Sequence, residues 1–482
     1  MKVNKGFGLI VTLLVFVSTL YPTGVFAQAE RTIEDESIYD LLVDRYNNGD
    51  GTNDIDVDVE DGNAFNGGDF AGIAARLEHI TKMGFTMISL GPIFSTESYD
   101  GSKVLDYTKL ESRFGTDKDF AAMHKAVQKQ DLAIIADFPF GGVSANHVWA
   151  QEGTAKFTPA ADGTIDWDTA DQGTQQALKT AVVDFMQTAK LDGIRLTKIS
   201  HVDTAFINEV IAAVKEVNPD AYVLTNETSD ADFDITPSMD KMAALKQSFV
   251  RTDADTSPLA LFDNPNKKEL IQFDELTGPR FTYEMVEARM YPPTRWKVAA
   301  AGLFTLPGIP VLPYASEIAV NGKEAPESHP LTNFKTDMEL ADFIGGLNSL
   351  RNQSEALRNG DFEMLHNKDG FTVYKRSNDK ETWIIALNNT SETANVEIPK
   401  EIIGENKKLR GVLDNDLIRE SKDGVFRVVL ERELAEIYIA DEDTGYNTPY
   451  LIASILIYVL FFAFLFKILR KGRQAKRARV AK

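Results

Sequence analysis

Residues 173–197 read GTQQALKTAVVDFMQTAKLDGIRLT. Up to Leu191 the apolar residues recur at helical spacing. The short apolar run LDGIRLT (191–197) then reads as a buried parallel strand. A helix feeding directly into such a strand is the repeating unit of an α/β fold. The unit recurs from about residue 35 to 350. FTMISLGPIF (85–94), LAIIADF (132–138), AYVLTNE (221–227), LIQFDEL (270–276) and IPVLPYA (309–315) read as further strands, and DFAAMHKAVQKQ (119–130) as a helix. Repetition over this length predicts an α/β chain closed into a (β/α)8 TIM barrel. An open doubly wound sheet is the alternative. It is disfavoured because no glycine-rich dinucleotide loop follows the first strand.

Beyond residue 360 the pattern becomes alternating. GFTVYKRSN (370–378), ETWIIALNNT (381–390), ANVEIPK (394–400) and VFRVVLERELAEIYIA (425–440) predict a small antiparallel β-sandwich. The 482-residue chain has room for both units. It has no cysteine, which excludes disulfides, thiolate zinc sites and cysteine nucleophiles.

The two ends carry targeting signals. Lys2 and Lys5, an apolar run and the small residues Val25 and Ala27 read as a signal peptide cut after Ala27. PYLIASILIYVLFFAFLF (449–466) carries no charge and, with its flank, is long enough to span a bilayer. Lys467, Arg470, Lys471, Arg473, Lys476, Arg477, Arg479 and Lys482 follow it, with no acid among them. A basic flank belongs on the cytoplasmic side. The expected order is therefore a signal peptide (1–27), the barrel (28–355) with an inserted domain (139–172), the sandwich (356–441), a spacer (442–448), a single transmembrane helix (449–469) and a basic cytoplasmic tail (470–482). The expected location is the cell membrane of a Gram-positive bacterium, with the body outside. The net charge of −21 conceals a split: without its basic ends the body is about −31. Such a body favours neutral or cationic partners and excludes nucleic acid.

In a barrel of this kind, chemistry sits at the C-terminal ends of the strands. The segments GGDFAGIAARLEHITKMGFTMISLGPIF (67–94), SYDGSKVLDYTKLESRFGT (98–116), DGIRLTKISH (192–201), GPRF (278–281) and LFTLPGIPVLPYASEI (303–318) together resemble the α-amylase family of glycoside hydrolases, in the manner of secreted bacterial α-amylases and neopullulanase-like enzymes. The resemblance runs from about residue 36 to 440. It implies a barrel with a small domain B at 139–172, a C-terminal sandwich, and α-glucans or maltooligosaccharides as ligands.

Retaining glycoside hydrolysis needs a carboxylate nucleophile and a carboxylic acid ~5 Å apart. The resemblance places the nucleophile in a Gly-x-Arg-x-Asp-x-x-x-His motif. Gly193, Arg195 and His201 match it, but Thr197 stands for the Asp. A threonine hydroxyl is not ionised at neutral pH, and a sugar bonded to it would form a stable acetal. The general-acid position is Glu227, with Asn226 for the usual Gly. The third carboxylate lies in an Asn-His-Asp motif, whose places hold Glu275, Leu276 and Thr277 in FDELTGPRF. A second register uses Pro265 and Asn266 in LFDNPNKK (261–268). Asp137 is retained after the third strand, while Gly141 and Gly142 replace Asn and His. Tyr99 is retained, but Asp100 replaces a His, Ser102 a Tyr and Ser200 a Lys. Tyr99, Asp137, Arg195 and His201 remain as the implied substrate contacts.

DRYNNGDGTNDID (44–56) and NGGDF (66–70) resemble a calcium loop of the family. The implied ligands are Asn48, Asp50, Asn53, Asp54, the Gly67 carbonyl and Asp69, an all-oxygen set suited to a hard cation. The expected function is a membrane-anchored, catalytically impaired relative that binds a glucan or a membrane-protein partner. Two alternatives stand beside it. One is an active glycosidase or transglycosylase with Glu227 as acid and a relocated nucleophile such as Asp100, Asp137 or Asp274. The other is an interaction module without sugar binding.

Overall fold

The computed structural model describes residues 31–265, 268–443 and 448–480. The expected signal peptide lies outside the described residues, as do Asn266 and most of the spacer.

Eight parallel strands form the body: β1 Ile38–Asp40, β2 Met87–Ser89, β3 Ala133–Pro139, β4 Gly193–Thr197, β5 Tyr222–Thr225, β6 Thr236–Pro237, β7 Glu269–Ile271 and β8 Ile309–Pro313. Their hydrogen-bonded order is β5-β4-β3-β2-β1-β8-β7-β6. A further bridge between Leu224 and Ile235 joins the two ends, so the barrel is nearly closed. Successive strand residues divide between two apolar clusters, as the two-residue period of a strand requires. Ile38, Met87, Ile135, Leu224, Leu270, Ile309 and Val311 share one cluster. Their neighbours Tyr39, Ile88, Ile134, Val223, Ile271 and Leu312 join the larger core with the surrounding helices.

The stretch 172–197 forms as its pattern predicts. The helix Gln172–Ala189 is capped by Asp171, whose side chain accepts from Thr174 N. It buries Leu178, Val182, Phe185, Met186 and Ala189. Lys190 ends it in the left-handed region, and β4 follows fully buried. Gly193 is required at the start of β4, because a Cβ there would stand 2.4 Å from the Tyr222 carbonyl oxygen.

Two long apolar runs prove to be two strands each. FTMISLGPIF contributes β2 and then Phe94–Thr96, which pairs antiparallel with Val104–Leu110. VFRVVLERELAEIYIA breaks at a turn with Glu433 at φ 56°. Between β3 and β4 the chain makes an excursion of three short antiparallel strands, Val143–Ser144, Phe157–Pro159 and Thr164–Trp167, with the helix Val148–Glu152.

After the barrel come β9 Asp361–Lys368, β10 Phe371–Ser377, β11 Thr382–Asn388, β12 Ala394–Pro399, β13 Lys407–Gly411, β14 Leu417–Arg419, β15 Val425–Leu430 and β16 Ala435–Glu442. Six form an antiparallel sheet ordered β9-β10-β11-β16-β13-β14, and β12 pairs with β15 as a ribbon. Phe371, Val373, Ile384, Leu409 and Tyr438 of the sheet bury against Ile398, Phe426 and Val428 of the ribbon. Tyr374, Trp383, Ile385 and Ile437, at alternate sheet positions, belong to the barrel core instead.

The helix Thr448–Val480 contains one apolar segment, Leu451–Gln474, long enough to cross a membrane by length and composition. None of its most apolar stretch is buried in the body.

Candidate functional site

The C-terminal ends of the barrel strands surround a cavity of about 510 Å³. Residues from the ends of β1, β3, β4, β5 and β7 line it, among them Asp40, Asp137, Arg195, Thr197, Glu227, Glu275, Leu276 and Thr277. Register brings the first three together. Asp137 on β3 pairs directly with Arg195 on β4. The Arg195 Nε and Nη2 donate to the two Asp137 carboxylate oxygens at 2.7 and 2.9 Å. Its Nη1 and Nη2 also donate to Asp40 at 3.2 and 3.0 Å. Burial opposes the guanidinium charge, but the two carboxylates more than offset it and hold Arg195 above the ordinary arginine range. All three groups are thereby satisfied within the protein.

Thr197 ends β4, buried, and its carbonyl accepts from Phe140 N at 2.9 Å. The chain then turns through Lys198 at φ 56°. Glu227 closes this turn from the end of β5. Its carboxylate accepts from the backbone N–H groups of Lys198, Ile199 at 3.2 Å and Ser200 at 3.1 Å. Glu227, expected as the general acid, thus fastens the loop after β4.

The two registers fall at different places around β7. Ser257–Asp263 is a 3-10 helix ahead of the strand, whereas Glu275, Leu276 and Thr277 follow β7 and line the cavity. Next to them, Asp274 and Arg280 form a fully buried ion pair at 2.8 Å. Arg280 also donates to the Tyr314 carbonyl and Ser316 Oγ, which ties β7 to the β8 loop. His329 from that loop spans two elements. Its Nε2 lies 2.7 Å from the Leu276 carbonyl, an acceptor only, so this nitrogen carries the proton. Its Nδ1 therefore accepts from Tyr99 OH at 3.0 Å. Burial lowers the His329 pKa, in keeping with a neutral ring.

Tyr99 and His201 are not among the residues lining the cavity. Tyr99 is buried, and the Arg45 guanidinium covers one face of its ring, 3.9 Å from the centroid. His201 is exposed beside Gly141. Asp100 accepts from Ser102 Oγ at 2.8 Å, so those two residues satisfy each other. Sequence reasoning missed Asp40, Lys198, Gln272 and His329 as cavity residues. Asp40 lies 155 positions from Arg195, and only the strand order joins them.

The loop expected to hold calcium makes contacts of its own. Asn48 Nδ2 lies 2.9 and 3.0 Å from the Asp54 oxygens, and Gly67, at φ +91°, comes close to both residues. Asn53 Oδ1 is buried without a hydrogen-bond partner. Asp50 accepts from Thr52 N at 3.0 Å. Asp69 is committed elsewhere: it caps the helix Phe70–Ala75 through Gly72 N and accepts from Gly49 N and Asp50 N. Among the described residues no group of three or more His, Cys, Asp or Glu converges as a metal cluster would.

Residues 40–180 match the family described as alpha amylase, catalytic domain, and residues 360–438 match the alpha-amylase C-terminal domain. A crystal structure of an Anoxybacillus α-amylase is 34% identical, with a TM-score of 0.82 over 86% of this chain and 100% of that one. The α-amylase of Geobacillus thermoleovorans, solved in complex with acarbose, is also 34% identical, with a TM-score of 0.80 over 86% of this chain and 100% of that one. A beta/alpha-amylase of Paenibacillus polymyxa is 23% identical over 462 residues, which span 83% of this chain but only 37% of that protein. With two α-amylase structures covered along their whole length at this identity, the chain belongs to the α-amylase family of glycoside hydrolases.

Proposed function

We propose that this protein is a catalytically impaired α-amylase relative, held at the outer face of a membrane by its C-terminal helix, that binds a ligand in its barrel cavity without ordinary hydrolysis. The observation that carries this reading is the state of the two reacting positions. Thr197 offers a hydroxyl where a nucleophilic carboxylate is needed, and the Glu227 oxygens accept three backbone N–H groups. The test is incubation of the detergent-solubilised full chain with maltoheptaose and calcium. No hydrolysis above buffer is expected. Turnover that disappears in Glu227→Gln would instead support an active glycosidase.

A reading without glucan binding has one observation in its favour: no Phe, Tyr or Trp lines the cavity among the described residues. Calorimetry with maltoheptaose and cyclodextrin separates the two, since heat at millimolar ligand favours a glucan site.

We infer that calcium, if bound, is held by Asn48, Asn53, Asp54 and the Gly67 carbonyl. It would supply a crosslink between the loops after β1. The orphaned Asn53 oxygen supports this, while the saturated Asp69 argues against a direct role for that carboxylate. Calcium should raise the thermal midpoint relative to EDTA; identical midpoints would remove the site.

A further inference from the structure

Five carboxylates line the cavity, Asp40, Asp100, Asp137, Glu227 and Glu275, against the cations of Arg195 and Lys198. Four of the five are satisfied internally, by Arg195, by Ser102 and by the turn after β4. Glu275 is the exception. It is half-buried, and no hydrogen bond or ion pair engages it among the described residues. Burial raises its pKa; Lys246 on the helix Met239–Phe249 opposes this, and Asp274 and Glu284 add to it. Lys246 is already paired with Glu284 at 3.1 Å, and Asp274 with Arg280. A partly desolvated carboxylate without a counter-ion is costly, and a ligand cation removes that cost where a neutral polyol cannot.

Part of the remaining lining fits a hydroxylated ligand. Ser102, Thr197, Ser200, Asn226, Gln272 and Thr277 bring hydroxyl and amide groups to the wall. Among the described residues no Phe, Tyr or Trp lines the cavity; Leu41, Leu42, Met242, Leu270 and Val311 add apolar wall, and the polar groups supply the directional contacts. The surrounding body, about −31, draws cations toward the opening.

We propose that the cavity binds a short oligosaccharide carrying a free amino group, with its ammonium against Glu275 and its hydroxyls on the polar wall. The assignment rests on reading the cavity as a binding site that does not hydrolyse glucans, and it narrows the ligand from a neutral glucan to an amino sugar.

The experiment is calorimetric titration of the detergent-solubilised full chain at low salt and about pH 6, where an amine of this kind is protonated. Three probes are compared: a glucosamine disaccharide, its N-acetylated counterpart, and maltose. The free amine should bind at least about tenfold tighter than either neutral sugar. Glu275→Gln should abolish that difference, and Lys198→Ala, which removes the competing cation, should widen it. Equal affinities, no heat from the amine at millimolar concentration, or a preference that survives Glu275→Gln would each overturn the proposal. If Glu275→Gln does not fold, the three-ligand comparison on the parent decides alone. Maltoheptaose turnover is scored separately: its appearance would sink the reading of a non-hydrolysing cavity, whereas absent turnover with no amine preference would sink only the amino-sugar assignment.

Discussion

Thr197 invites repair, and its surroundings say why repair should fail. A carboxylate at the end of β4 would need partners to grip the sugar, and the expected Asn-His pair is here Gly141 and Gly142. A Cβ at Gly141 would stand 2.2 Å from Asp166 Oδ1 and 2.9 Å from His201 Cε1. Gly142 sits at φ +65°, and its N–H donates to the same Asp166 oxygen. An Asn-His pair here would have to push aside the Asp166 and His201 side chains and place a non-glycine residue at φ +65°. Thr197→Asp, alone or with Thr277→Asp, should leave maltoheptaose hydrolysis at the parent level. A gain of about 10²-fold, the low end of what an acid–base group contributes, would show a pocket more intact than its contacts suggest. Arg195 carries a different burden. It neutralises two buried carboxylates at once, so Arg195→Met leaves Asp40 and Asp137 uncompensated. The expected loss is about 3–5 kcal/mol of stability, read by urea denaturation. An unchanged midpoint would mean that the pair is solvated in solution.

Among the elements, the excursion after β3 has its own pH dependence. His147 is fully buried among the rings of Tyr107, Trp149 and Trp167. Its Nδ1 accepts from Trp149 N at 3.1 Å and so caps the helix Val148–Glu152, while Nε2 has no partner among the described residues. Burial pushes its pKa down to about 4, whereas an unfolded histidine titrates near 6.5. The unfolded state thus takes up the proton first. The stabilisation is complete above about pH 6.5 and is lost as pH falls toward 4, by at most about 3 kcal/mol. Protonation also turns the capping nitrogen into a donor. Tryptophan fluorescence from Trp149 and Trp167 should report loosening over this window. His147→Asn keeps a capping oxygen and removes the titration, so its acid response should be flatter; an identical slope would assign the effect to other groups. The elements also show what sequence could carry. The helix Gln172–Ala189 was legible because its period runs long enough to be counted, and β4 because a short apolar run follows that helix directly. With three and two residues, β1 and β6 have no period to read. At the site, the departure of Thr197 from the Asp that the resemblance implies was readable in the sequence. The capture of Glu227 by the turn after β4 was not, because the same local sequence would serve a free acid.

At the scale of the whole molecule, charge and apolarity are segregated along the chain. The acidic body is followed by Leu451–Gln474 and a basic stretch. At a rise of 1.5 Å per residue, the 18 uncharged residues 449–466 extend about 27 Å as a helix, close to a hydrocarbon core of about 30 Å. If this segment spans, the basic residues at its end favour the cytoplasmic side, which would leave the barrel and sandwich outside. Two physical modes of attachment are then distinguishable. A spanning helix is held by the hydrophobic effect and is indifferent to salt, whereas a basic tail on anionic lipid is screened within a Debye length of about 3 Å at 1 M. The full chain should stay with membranes through 1 M salt and alkaline carbonate and leave only in detergent. A chain ending at residue 443 should be released into the medium, and protease added to intact cells should digest the body. Release of the full chain by salt alone, or a body protected from protease until the cells are opened, would reject the anchored, outward-facing arrangement.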